Sequence, residues 1–125
     1  MPKIIIIDDD EQISRLLTDV CQMAGYEVST CFKAADYFKE KQLADIAFLD
    51  LAMPDMDGIE VITQLKEIKS QVAIILMSGQ DSSLIVTAEI LAKEYGLNHI
   101  ASFAKPMEIK EIIALLEDLK EKQNR

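Results

Sequence analysis

At 125 residues the chain is the size of one ordinary domain, able to bury roughly two-thirds of the surface its unfolded form exposes without disulfide or metal staples. Half of its residues are hydrophobic and 28% are charged, the balance of a globular chain, while 22 acids against 13 bases leave a net charge of −9 that disfavours direct nucleic-acid binding. The longest apolar run, Val72 to Met77, has six residues, far short of the roughly 20 that span a bilayer, and the isoleucines after Met1-Pro2-Lys3 are too few for a signal-peptide core.

Ile4 to Ile7 is a continuous β-branched run, the mark of a strand buried on both faces. Ile13, Leu16, Leu17, Val20 and Ala24 then recur at helical spacing, with Gly25 placed to end that helix. Tyr26 to Cys31 reads as a second strand and Ala34 to Lys41 as a short, weaker helix. Ile46 to Leu49 is a third buried strand, followed by a helical stripe of Ile59, Ile62, Leu65 and Ile68. Val72 to Met77 is the fourth strand. Ser82 or Ser83 caps a helix carrying Leu84, Ala88, Leu91, Ala92 and Tyr95, stopped by Gly96. Ile100 to Ala104 is a short fifth strand. Ile109, Ile112, Ile113, Leu116 and Leu119 form the clearest stripe, with Lys120, Lys122 and Arg125 favourably placed at its negative end; only Glu121 to Arg125 reads as a loosely held tail.

Five βα units with short links predict one α/β domain over residues 1–125, a doubly wound five-stranded parallel sheet with helices on both faces. Right-handed crossovers require the winding to reverse once, and the order 2-1-3-4-5 is the economical solution. Ligands of such sheets bind beyond the carboxyl ends of the strands, near the switch point between strands 1 and 3. Chemistry is therefore expected just after strands.

Strand 1 ends in Asp8-Asp9-Asp10-Glu11 and strand 3 in Asp50, so at least three carboxylates converge on one crevice. Like charges so close destabilise one another unless a cation compensates them, and hard oxygen ligands with open positions suit Mg²⁺, which also shares itself with phosphate. Asp8 and Asp9 are the expected ligands, whereas Asp10 and Glu11 read as acids of a helix start. Strand 4 ends in Ser78-Gly79 and strand 5 is followed by Lys105-Pro106. A hydroxyl and an ammonium facing a metal-bound carboxylate are what a transferred phosphoryl group needs. Cys21 and Cys31 lack the spacing of a metal site or disulfide scaffold and read as free thiols in a reducing cytoplasm. His99, the only histidine, leaves any histidine-based triad a single candidate.

Asp8-Asp9, the segment Asp50-Leu51-Ala52-Met53-Pro54-Asp55-Met56-Asp57-Gly58, Ser78-Gly79 and Lys105-Pro106 together resemble the receiver domain of two-component response regulators, of the chemotaxis-regulator kind with a flavodoxin-like fold. The D-x-x-x-P-D-x-x-G segment is highly specific, and the resemblance covers residues 3 to about 120. It implies that Asp50 is the phosphoacceptor, attacking phosphorus on a phosphohistidine of a sensor histidine kinase or phosphotransfer protein. It implies too that Asp9, Asp50 and the Ala52 carbonyl ligate Mg²⁺, with Asp8 acting mainly through water. Lys105 then pairs with phosphoryl oxygens, Ser78 turns toward the phosphate, Pro54 and Gly58 shape the loop, and the Lys105-Pro106 bond is cis. The output is a coupled hydroxyl and aromatic switch acting on helix 4, strand 5 and helix 5, read by an output domain, a partner or a homodimer. No membrane or direct nucleic-acid contact is expected.

One position departs from the pattern. The aromatic residue usual three places before the lysine is here Ser102, with Phe103 one residue later, where strand alternation aims it at the opposite face. The stretch from Gly96 to Lys105 is also about two residues longer than usual, in a form resembling receivers attached to cyclic-dinucleotide phosphodiesterase domains. Either a bulge shifts Phe103 into the switch, or the aromatic half is missing; the alternation favours the second. Ala52 and Gln80 flank the phosphoryl site and neither is acidic, so neither activates water by proton abstraction. Two other classes are weighed. A pseudo-receiver interaction module would rest on Ser102, and an Mg²⁺-dependent aspartyl phosphatase would need D-x-D where this chain has Ala52. A serine hydrolase lacks its G-x-S-x-G turn at Ser78. Partner specificity is expected on helix 1, where Gln12 and Arg15 are candidates.

Overall fold

The computed structural model describes residues 2–39, 43–79 and 82–123. Among them strands and helices alternate as β1 (Lys3–Ile7), α1 (Glu11–Met23), β2 (Glu27–Cys31), α2 (Ala34–Lys39), β3 (Ile46–Asp50), α3 (Gly58–Glu67), β4 (Ala73–Ser78), α4 (Ser82–Glu94), β5 (Asn98–Ala104) and α5 (Ile109–Gln123). The strands form one sheet in the order β2-β1-β3-β4-β5, every neighbouring pair parallel. This is the doubly wound, flavodoxin-like architecture that the alternation predicts.

Strand pleating divides the apolar residues between two core layers. Ile5, Ile7, Ala47, Leu49, Ile74 and Leu76 join Val61, Ile62, Leu65 and Ala88 on the side of α2, α3 and α4. Ile4, Ile6, Ile46, Phe48, Ile75 and Met77 join Leu17, Val20, Ile112 and Leu116 on the side of α1 and α5. Both faces are covered, which is why the isoleucine run of β1 has no polar position. Gly25 and Gly96 follow α1 and α4 with φ of 93° and 72°, the left-handed conformation that ends a helix cheaply only in glycine.

Beyond one-residue shifts at strand ends, two features differ from the sequence reading. Ile68 is not part of the core stripe: α3 ends at Glu67, Ile68 caps it, and the side chain is 59% exposed. Strand β5 starts two residues before Ile100, and its pairing with β4 is irregular. Ile74 lies opposite His99 and Ile75 opposite Ala101, so Ile100 is an extra residue, a β-bulge of a kind rare in parallel sheets. Ile100 and Ala101 consequently pack into the same core layer. The last two residues predicted for the second helix, Glu40 and Lys41, lie outside the described residues, as do Gln80 and the tail residues Asn124 and Arg125.

Ile62 is fully buried whereas Ile68 is largely exposed, although the sequence places them on one stripe. Ile62→Ala is therefore expected to cost ~3 kcal/mol of unfolding free energy and Ile68→Ala less than ~1 kcal/mol. Urea unfolding of the two variants measures the difference.

Candidate functional site at the carboxyl ends of the strands

Because β1 and β3 are adjacent, the chain leaves them with acids on one rim. Asp8 follows β1 and is fully buried, Asp50 ends β3 at 4% exposure, and Asp9 beside them is exposed. Each can offer a carboxylate oxygen such that these atoms lie within 4.8 Å of one another. Lys105, just beyond β5, reaches into the cluster, with its Nζ 2.8 Å from Asp8 Oδ2 and 3.3 Å from Asp50 Oδ2. Ser78, buried at the end of β4, is tied to the same strand end by the Lys105 amide, which donates to the Ser78 carbonyl at 2.9 Å. The Lys105-Pro106 peptide bond is cis.

Local hydrogen bonds fix the two buried acids. The Ala52 amide donates to Asp50 Oδ1 at 3.0 Å, leaving the other oxygen toward Lys105. The Asp10 amide donates to Asp8 Oδ1 at 2.9 Å, and the Ser14 hydroxyl donates to the Asp8 carbonyl at 3.3 Å. Asp10 itself caps α1, accepting from the Gln12 and Ile13 amides, so it is the helix-start acid its sequence position suggests. The loop after Asp50 folds back on itself: Ala52 bridges Asp57, the Gly58 amide donates to the Leu51 carbonyl at 3.0 Å, and Asp57 caps α3 through the Glu60 amide. A side chain on Gly58 would place its Cβ 2.9 Å from Leu51 Cα, closer than real contacts allow, which explains the glycine eight residues after Asp50.

Four residues join this scaffold that sequence reasoning gave no role. Asp55 accepts from the Ala34 and Ala35 amides at 3.3 and 3.1 Å and so ties the loop to α2; nothing in its local spacing signals a partner twenty residues away. Ser14 is the one polar member of the buried face of α1, a signal that helical spacing could have supplied. Glu89 and His99 meet at Ser102: the Ser102 hydroxyl donates to Glu89 Oε2 at 2.9 Å, and His99 Nε2 lies 2.8 Å from Ser102 Oγ. Phe103 packs with the α1 and α5 layer, so the bulge does not bring it to the α4 side.

Burial is the main influence on Asp8 and pushes its carboxyl up to about 6, the nearby Asp50 charge adding to the rise and the Lys105 hydrogen bond opposing it. Burial alone would lower the Lys105 ammonium, yet its hydrogen bond to Asp8 and the charge of Asp50 carry it above its ordinary value. One lysine shared between two buried carboxylates is held charged, while Asp8 is under-compensated. This is a donor set suited to a hard divalent cation: three carboxylates, two of them buried, with one lysine between them. A concavity of about 680 Å³ lined by Tyr37, Phe38, Ile68 and Val72 lies at the opposite, amino-terminal ends of β3 and β4, away from the converging polar groups.

Residues 4–117 match the response regulator receiver domain family. The chain belongs to that family. It is 31% identical over 115 residues to sporulation initiation phosphotransferase F of Bacillus subtilis, covering 88% of this chain and 86% of that one. The match to the DNA-binding transcriptional regulator NtrC of Azospirillum brasilense is 29% identical and covers 91% of this chain but only 23% of that protein. The chain likewise spans 45% of the B. subtilis alkaline phosphatase synthesis regulator PhoP. Among solved structures, a response regulator from Colwellia psychrerythraea superposes with a TM-score of 0.86 at 38% identity, covering 97% of this chain and 98% of that one. This receiver domain is thus similar both to a single-domain relative and to the receiver portions of longer regulators. No helix among its described residues is long and apolar enough to cross a membrane.

Two outcomes follow from the receiver's geometry. Gly58→Ala is expected to lose ~2–3 kcal/mol of stability, measured by urea unfolding, because Leu51 is backbone-anchored beside it. For Asp8, the folded pKa of about 6 exceeds the ordinary 3.8, so its contribution to stability is complete below about pH 4 and is lost as pH rises to about 6. Asp8→Asn, neutral throughout, should then exceed the parent by ~3 kcal/mol at pH 7 in EDTA, the difference vanishing near pH 4.

Proposed function

We propose that residues 1–125 act as one receiver unit in which Asp50 accepts a phosphoryl group from a phosphohistidine of a sensor histidine kinase or phosphotransfer protein. The observation that carries this reading is the convergence of Asp8, Asp9 and Asp50 around Lys105. Where a D-x-D phosphatase carries its second acid, two residues after the nucleophile, this chain has Ala52. In the transfer, an Asp50 carboxylate oxygen forms the new bond to phosphorus. The bond to the donor nitrogen breaks, and its electron pair stays with the imidazole. The Ala52 amide orients the carboxylate, and Lys105 neutralises charge on the equatorial oxygens. Ser78 supplies a hydroxyl from the neighbouring strand end.

The donor set fits Mg²⁺, which Asp8, Asp9, Asp50 and the Ala52 carbonyl would hold. When bound it offsets the repulsion between the carboxylate nucleophile and the phosphoryl oxygens. The acyl phosphate then adds charge and acceptors at one point and biases the surrounding elements toward a second arrangement, which a linked output domain or separate partner in the cytoplasm reads. The longer relatives described as transcriptional regulators support the first of these, and the relative of similar length supports the second.

Incubation with Mg²⁺ and acetyl phosphate is expected to add one phosphoryl group per chain, detected by intact-protein mass spectrometry. Asp50→Asn should abolish the adduct and EDTA should prevent it. Modification surviving in Asp50→Asn would move the acceptor elsewhere.

A further inference from the structure

The Glu89–Ser102–His99 network occupies the place where the family resemblance calls for an aromatic side chain, and its construction depends on the Ile100 bulge. In a regular strand, residues 99 and 102 would face opposite sides of the sheet, because side chains alternate with a period of two. The extra residue at Ile100 reverses that parity, so His99 and Ser102 come together on the α4 side. The heavy-atom distances favour one arrangement of the network's protons. Ser102 gives its one hydroxyl hydrogen to Glu89 Oε2 at 2.9 Å and must therefore accept from His99 Nε2 at 2.8 Å. The same nitrogen lies 3.0 Å from the Ala101 carbonyl, which can only accept, so the proton sits on Nε2. Glu89 Oε2 is also 3.7 Å from that nitrogen.

The placement joins this network to the phosphoryl site by short stretches of backbone. Ser102 lies opposite Leu76 and Ala104 opposite Ser78, so Ser102 stands one side-chain repeat from Ser78's level of the sheet and three residues before Lys105. Helix α4, which carries Glu89, starts four residues after Ser78. Through the Ser102 hydroxyl, Glu89 hydrogen-bonds α4 to β5.

We propose that Glu89, Ser102 and His99 form a polar clamp that positions α4 on β5 and couples that surface to the state of Asp50, in place of an aromatic switch. The three act as positioning residues, touching none of the reacting atoms, and the inference rests on the phosphoacceptor reading given above. By linkage, a clamp that responds to the phosphoryl group also influences its acquisition.

The test follows the His99 ring nitrogens and the α4 amides by NMR before and after treatment with Mg²⁺ and acetyl phosphate, with adduct formation measured on the same samples. In the untreated chain, the ring should show the hydrogen on Nε2. On phosphorylation the ring signals and the α4 amides should move together. Ser102→Ala and Glu89→Ala should place the untreated α4 amides part-way toward their phosphorylated positions and change the phosphorylation rate by about threefold or more. Glu89→Gln still accepts the Ser102 hydroxyl through its amide oxygen and should restore most of the parent behaviour, which a role resting on the Glu89 charge would not allow. Far-UV circular dichroism confirms that each variant is folded, and the parent measurement needs no variant. Adduct formation with unmoved His99 signals, or Ser102→Ala with the parent's rate and α4 spectrum, overturns the clamp while leaving the phosphoacceptor reading intact. Absence of any adduct on the parent overturns both.

Discussion

Three carboxylates and one ammonium at the rim of a hydrophobic sheet set the terms for the rest of this domain. Asp8 and Asp50 are buried beside one another, and Lys105 is the cation that reaches both. Such a cluster is tolerable only if every remaining lone pair is engaged and the groups cannot drift apart. That requirement explains the density of main-chain hydrogen bonds around it. The amides of Asp10 and Ala52 serve the two buried acids, and the tight Leu51–Gly58 loop keeps Asp50 fixed. The strand order then delivers the lysine from β5 across β4 to the carboxylates of β1 and β3.

The surrounding acids are not idle surface charge. Asp10, Asp57 and Asp55 each accept from amides at the start of α1, α3 and α2, where exposed N–H groups and the helix dipole favour negative charge. Carboxylates therefore do two jobs at one end of the sheet: a few are assembled for chemistry, and others hold the helices that frame them. Residues 1–60 hold 13 acids against 5 bases, partly because β1, β3 and the starts of the first three helices all fall there.

Much of this was legible in the order of residues. Continuous β-branched runs announced buried strands, and the parallel order followed from connection rules, so the meeting of Asp8, Asp9 and Asp50 could be anticipated without coordinates. Asp10 reads as an acid of a helix start, and it caps α1. What escaped was nonlocal or depended on register. Ile68 fits the helical period, but the helix ends one residue too soon to use it. Asp55 meets α2 only because two loops are folded together. The pairing of His99 with Ser102 contradicts simple alternation, and only the observed register with β4 reveals why. For Phe103, alternation gave the right face because the irregularity lies upstream of it.

The position of that irregularity carries a consequence for how such a domain can vary. The added residue is accommodated opposite Ile74 and Ile75, and the pairing from Ile75 to Ser78 runs on without interruption. An outermost strand has only one neighbour to satisfy, so it can absorb a change in length that an interior strand could not. Here the slack is taken up at the end remote from the carboxylates, and Lys105 stays in step with Ser78. The polypeptide can thus accommodate an added residue beside α4 while Lys105 and the carboxylates remain in register, so that side-chain parity on this edge is decoupled from the geometry of the cluster.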